Sequence, residues 1–213
     1  MREILKGNNG LKIVGFAGSS SRESINKKLV KHVSSFFDPA SVELLDLNDF
    51  EVDIFSVDKE RDGGIPNKIS ELASAIDNAD LLLVSLAEHN GSYSAAFKNI
   101  YDWLSRIPGR KVFGEKPVFL MATSPGGRGG ASVLAAAQDR FPRDGSEIVE
   151  SFSLPGFNKN FKDGEITEPN IGIELHDKIN KIKCNKFNWF FKDDSSTCGI
   201  DPSKDECGDA IEY

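Results

Sequence analysis

Residues 80–103 read DLLLVSLAEHNGSYSAAFKNIYDW. Leu81, Leu82, Leu83, Val84 and Leu86 make a strand-length run that is apolar on both faces, the pattern of a strand covered by helices on each side of a parallel sheet. The run is therefore expected to be central. A polar bend from Ala87 to Ser92 follows it. Phe97, Ile100, Tyr101 and Leu104 then recur at helical spacing until Pro108-Gly109 ends the helix.

The same alternation extends outward in both directions. Leu11 to Ala17 reads as a first strand, and Ile25, Leu29, Val33 and Phe36 as a helix face stopped by Pro39. Val42 to Leu47 is the second strand. A polar loop with Gly63 and Gly64 leads to Pro66, suited to a helix's first turn, and to a helix face of Ile69, Leu72, Ala73 and Ile76. Downstream, Lys116 to Ala122 is the fourth strand, Thr123 to Gly130 a loop opening a helix through Ala137, Glu147 to Leu154 the fifth strand, and Glu168 to Lys183 the last core helix. Five strands joined by crossovers predict an α/β three-layer sandwich around a parallel sheet, with right-handed connections and no internal repeat.

The chain's 213 residues suit one such domain, expected over residues 1–191, followed by an acidic, turn-rich tail over 192–213. A hydrophobic fraction of 39% and a charged fraction of 28% are ordinary for a globular protein. A formal charge of −7 without a dense basic cluster argues against nucleic acid as a partner. No apolar run approaches the length of a membrane span, and MREILKGNNG has no apolar core of a signal peptide, so no membrane association is expected. Three late cysteines, Cys184, Cys198 and Cys207, are a poor disulfide framework and point to a reducing cytoplasm. The spacing of Cys198 and Cys207, with Asp201, Asp205 and Glu206 between them, matches neither a zinc knuckle nor a calcium loop, and no metal site is assigned. Trp189, Phe190 and Phe191 suggest that the start of the tail docks on the core or on a neighbouring subunit.

In an open parallel sheet, ligands bind beyond the carboxyl ends of the strands, where the strand order reverses. The loops after strands one, three and four would all reach that edge. The first, Gly18-Ser19-Ser20-Ser21-Arg22-Glu23-Ser24-Ile25-Asn26, runs a hydroxyl-rich turn into a helix N-terminus, whose free N–H groups and positive dipole end favour a phosphate. Neither GxxxxGK[ST] nor GxGxxG is matched, so a phosphate monoester suits it better than a triphosphate or a pyrophosphate. Without a ligand, the same turn would be a serine-rich helix cap. In the second loop, Asn90-Gly91 favours a tight turn whose amides meet a flat heterocycle, with His89 or Tyr93 as a stacking partner. The third, Ser124-Pro125-Gly126-Gly127-Arg128-Gly129-Gly130, allows positive φ and close approach of main chain to ligand, and taken alone would pass for a flexible crossover.

Together, GSSSRESIN, AEHNGSYSAAFKNIYDW and SPGGRGG resemble the NADPH-dependent FMN reductase family, whose motifs read GSxRxxSxN, PEYNGSxPGxLKNxxDW and GGxxG in the same order. The resemblance covers residues 11–183 and implies a flavodoxin-like fold with strand order 2-1-3-4-5. It implies that Ser19, Ser24 and Asn26 bind the FMN phosphate. Ser21 stands where the family usually has arginine and Arg22 follows it, so both are candidates for the same contact. Glu88, His89, Asn90, Gly91 and Ser92 match the segment bordering the isoalloxazine, and Ser124, Gly126, Gly127 and Gly130 the loop closing over its other edge. Ala87, His89 and Ala95-Ala96 depart from the family's Pro, Tyr and Pro-Gly.

The activity so implied is transfer of hydride from NAD(P)H to FMN and then of electrons to a small-molecule acceptor such as a flavin or quinone, by a homodimer or homotetramer. No catalytic acid or base side chain is expected, because the cofactor carries the chemistry. The alternatives are a flavodoxin-type electron carrier and a regulatory or scaffolding protein that retains the fold.

Overall fold

Five strands assemble into one parallel sheet: β1 Ile13–Gly18, β2 Val42–Leu45, β3 Leu81–Leu86, β4 Lys116–Thr123 and β5 Ser146–Leu154. In space they run β2-β1-β3-β4-β5, the expected 2-1-3-4-5 order of a flavodoxin-like fold. The structure is a computed structural model and describes residues 11–189, with side chains to Cys184. The expected tail, with Cys198 and Cys207, lies outside the described residues, as do Phe190 and Phe191.

Strand alternation divides the core in two. Val14 and Phe16 of β1, Leu82, Val84 and Leu86 of β3, and Val118, Leu120 and Ala122 of β4 face one side. There they meet α3 Asn67–Asp77, α4 Ala95–Leu104 and α5 Ala131–Arg140 through Ile69, Leu72, Ile76, Phe97, Ile100 and Val133. The short α2, Val57–Gly63, precedes α3. Ile13, Ala17, Leu81, Leu83, Phe119 and Met121 face the other side and are covered by α1 Ile25–Ser34 and by the last helix. That helix, α7 Pro169–Trp189, follows a one-turn α6, Phe157–Asn160, and buries Leu175, Ile179 and Ile182. β3, covered on both faces, is buried at every position, as its unbroken apolar run requires.

The differences from expectation lie at edges and in polar segments. β1 begins at Ile13 and β2 ends at Leu45, while α7 runs past Lys183. α2 was expected as loop: it has no buried residue, so no apolar period marks it. Its trace in the sequence is the cap, with Ser56 accepting from the Lys59 N–H at 3.2 Å and Asp58 and Glu60 in the first turn. Pro66 is the N-cap of α3, one position before the helix proper. β5 carries a bulge, since Val118 pairs with Ile148 but Phe119 with Glu150.

On the α3–α5 face of the sheet, Tyr93, Phe97, Tyr101, Phe113 and Phe141 form an aromatic cluster, with Phe113 and Phe141 ring centroids 4.3 Å apart. The Tyr101 hydroxyl bonds to Asp144, which Arg140 holds in two hydrogen bonds of 2.6 and 2.9 Å. Burial, and then the bond to Asp144, push the Tyr101 phenol up, so it stays protonated. Phe141 is fully buried, and Phe141→Ala is expected to lower stability by about 3–5 kcal/mol, read as a reduced urea midpoint with an unchanged slope.

Candidate functional site

The chain leaves β1 for β2 on one side and returns past β1 to form β3 on the other, so the β1 and β3 ends flank the reversal of strand order. Here the loops after β1, β3 and β4 surround a notch of about 240 Å³. Ser19, Ser21, Ser24 and Asn26 line it from the first loop, Ala87, Glu88 and His89 from the second, and Thr123, Ser124 and Pro125 from the third. Glu23 and Ile25 also line it, and sequence reasoning had given neither a ligand role.

The first loop is a series of turns that leaves donors free. Ser24 caps α1, its hydroxyl accepting from the Lys27 N–H at 3.3 Å. The Ser21 N–H is taken by the Ser19 hydroxyl at 3.3 Å, and the Ser24 N–H by the Ser21 carbonyl at 3.3 Å. The N–H groups of Ile25 and Asn26, at the positive end of α1, have no partner among the described residues. Ser21 lines the notch. Arg22 is exposed beside it, without an ion-pair partner among the described residues.

Asn26 is 2% exposed, and its carboxamide is taken up within the protein. Its Oδ1 accepts from the Ser85 hydroxyl at 2.7 Å and from the Thr123 N–H at 3.1 Å, and its Nδ2 donates to the Thr123 carbonyl at 3.4 Å. One residue of α1 thereby ties the ends of β3 and β4 together.

The second loop is a two-residue hairpin, Glu88–His89 paired with Ser92–Tyr93, across Asn90 and Gly91 at φ 53° and 77°. Two positive φ values are what the Asn-Gly pair supplies most readily. His89, Asn90, Gly91 and Ser92 are exposed, and of these His89 lines the notch. Glu88 also lines the notch, but its carboxylate is committed: it accepts from the N–H groups of Ser132 and Val133 at 2.9 and 3.1 Å, capping α5, whose own cap residue Gly130 has no side chain to do so. Tyr93, expected as a stacking partner for a ligand, instead joins the aromatic cluster, nearly parallel to Phe141 at 6.1 Å. Its buried hydroxyl has no partner among the described residues, and burial pushes the phenol up. Ser94, which the sequence reading passed over, caps α4 through the Phe97 N–H at 3.2 Å and donates to the Gly18 carbonyl at 2.8 Å. Trp103 is core, its indole N–H bonded to the Asp53 carbonyl at 2.8 Å, and Asp102 pairs with Lys98 on the surface.

In the third loop the glycines divide by task. Gly130, at φ 81°, packs inward, where a Cβ would lie 2.7 Å from that of Ala122. Gly129, at φ 57°, is pressed against Ser153 and Pro155. Gly126 and Gly127 are exposed with open space around them, and their N–H groups have no partner among the described residues. The Ser124 hydroxyl donates to the Gly126 carbonyl at 3.2 Å.

The notch therefore presents hydroxyls, free amides and a helix N-terminus from one side and Thr123, Ser124 and Pro125 from another, while the exposed Gly126 and Gly127 follow just outside its lining. Its two carboxylates are engaged elsewhere, Glu88 on α5 and Glu23 with Lys28 at 3.4 Å. Unpaired N–H groups at a helix N-terminus are chemically suited to an anion such as a phosphate. A sequence model of NADPH-dependent FMN reductases matches residues 11–161. The chain belongs to that family. Among curated members of known name it is 32% identical over 122 residues to a quinone reductase of Escherichia coli (strain K12), and 34% identical over 127 residues to a 2-hydroxy-1,4-benzoquinone reductase of a Burkholderia species. In each case the match spans 57% of this chain and 64% of the relative, so the chain covers less than two thirds of their length. FerB of Paracoccus denitrificans, a flavoenzyme NAD(P)H:(acceptor) oxidoreductase, superposes with a TM-score of 0.65 at 22% identity, covering 82% of this chain and 98% of FerB, a likeness of fold. Among the described residues no helix is long and apolar enough to cross a membrane, and no cluster of three metal-ligating side chains occurs.

Asn26→Ala would strand the Ser85 hydroxyl and both backbone groups of Thr123 in a buried place. A loss of about 1–3 kcal/mol in urea unfolding without cofactor is expected, against a near-neutral result for Arg22→Ala.

Proposed function

We propose that the chain is an NAD(P)H-dependent flavoprotein oxidoreductase that holds FMN in the three-loop notch and delivers electrons to a quinone-like small molecule. The observation that carries this reading is the convergence of Ser19 and Ser21, the His89 hairpin and the Ser124-Pro125 loop on one recess at the reversal of strand order. FMN, when bound, supplies the redox chemistry, taking hydride from the nicotinamide and giving electrons to the acceptor.

The protein's part is to bind and orient. The hydroxyls of Ser19 and Ser21 and the N–H groups of Ile25 and Asn26 would hold the phosphate, with Arg22 as the free cation beside it. Ser24 and Asn26, given phosphate contacts by the resemblance, are assigned a positioning role here through the cap and the carboxamide ties. The His89 to Ser92 hairpin and the Gly126-Gly127 segment would border the ring from opposite edges, their exposed amides stabilising negative charge that grows on it. The quinone-like acceptor draws support from the names of the two bacterial relatives. A cytoplasmic location and a homodimer or homotetramer belong to the same reading.

Anaerobic stopped-flow of the FMN-loaded chain with NADPH should bleach the flavin band, and benzoquinone should restore it. A flavodoxin-type carrier would not bleach on that timescale. Ser21→Asp, which sets a carboxylate at the phosphate position, should weaken FMN binding about tenfold or more in calorimetry. Unchanged affinity would remove the phosphate assignment.

A further inference from the structure

A second recess lies on the α1 side of the sheet. After β5, a short hairpin pairs Phe161–Lys162 with Glu165–Ile166, and between it and α1 runs a groove of about 510 Å³. It is larger than the notch and shares no lining residue with it. Phe157 and Phe161, stacked at 4.7 Å, are buried at its base, and the His32 ring meets Phe161 edge-on at 5.5 Å.

The walls are basic. α1 buries Leu29, Val30 and Val33, which leaves Lys28 and Lys31 exposed along its outer side, one turn apart. Strand alternation puts Lys162 outward where Phe161 points in. The Asp163-Gly164 turn, with φ of 52° and 93°, closes the hairpin and contributes the one carboxylate of the lining. Glu23 engages Lys28 at 3.4 Å, whereas Lys31 and Lys162 have no ion-pair partner among the described residues. Burial holds the His32 imidazole below its ordinary value, against a backbone contact with Gly164 and the charge of Glu165 that act to raise it. At neutral pH it therefore adds aromatic surface rather than charge. A recess with an aromatic base and two ammonium groups without an ion-pair partner among the described residues, in a chain of net charge −7, selects for negative charge joined to an apolar body.

We propose that the groove between α1 and the hairpin at residues 161–166 is a binding site for a small organic anion, its apolar part against Phe157 and Phe161 and its acidic group between Lys31 and Lys162. With Lys28 engaged by Glu23 and one charge offset by Asp163, an anion of a single charge fits best. The groove lies behind the glycine loop of the notch. The Phe157 N–H donates to the Ser124 carbonyl at 3.0 Å, and the Gly156 N–H to the Gly126 carbonyl at 2.9 Å.

Calorimetric titration with anilinonaphthalene sulfonate, an aromatic anion of one charge, tests the site in both the FMN-loaded and the FMN-free chain. Saturable binding is expected in both forms, with displacement by benzoate. Lys31→Glu and Lys162→Glu should each weaken it about fivefold, while Lys68→Glu, on α3 across the sheet, should leave it unchanged. Absence of saturable binding, equal weakening by Lys68→Glu, or indifference to both groove substitutions would overturn the proposal. So would loss of binding on FMN loading, which would put the probe in the notch.

Discussion

The buried carboxamide of Asn26 is the constraint on which the site depends. It stands at the start of α1 yet bonds to Ser85 in β3 and to both backbone groups of Thr123 at the end of β4. A polar group 2% exposed costs free energy unless its bonds are made, and these can be made only when β3, β4 and the entry to α1 hold one relative position. The interaction is thus a gauge of the gap between strand ends, and that gap is the notch.

Two further ties fix the walls. The Glu88 carboxylate reaches across to the amides of Ser132 and Val133, which ties the hairpin after β3 to the helix after the glycine loop. The Ser94 hydroxyl bonds to the Gly18 carbonyl, which locks the end of β1 to the start of α4. Gly18 has no room for a side chain there, since a Cβ would approach the Phe97 ring to 3.2 Å. Each tie consumes a polar side chain within the protein, so that the backbone amides and the Ser19 and Ser21 hydroxyls are what the recess has left to offer a ligand. Amides held in this way need no rearrangement when charge develops next to them, which is the form of assistance that a bound flavin can use.

Below the hairpin, the packing of Tyr93 with Tyr101, Phe113 and Phe141 gives the exposed bend a rigid base. This settles a choice that residue type leaves open: of the two aromatic rings in AEHNGSY, Tyr93 goes into the cluster and His89 stays at the surface by the notch. Strand alternation is the cause. Glu88 and Tyr93 face each other across the hairpin, as do His89 and Ser92 on the opposite side.

Local information in the chain specifies much of this architecture. The five strands are legible because their side chains are apolar on one or both faces, the Asn90-Gly91 turn because few other pairs accept two positive φ values, and the family motifs because loops after β1, β3 and β4 must meet at one edge. The capped but faceless α2 left no period to read, and the bulge in β5 no composition. The division of labour within the motifs was equally hidden: Asn26 and Glu88 look like ligand contacts in sequence and serve as internal ties in the fold. Their partners lie 59 and 97 residues away for Asn26, and 44 and 45 away for Glu88. Whether such a side chain turns toward a ligand or toward the protein depends on which distant donors the packed sheet brings within about 3 Å of it, a property of the assembled layers that no neighbouring residue encodes.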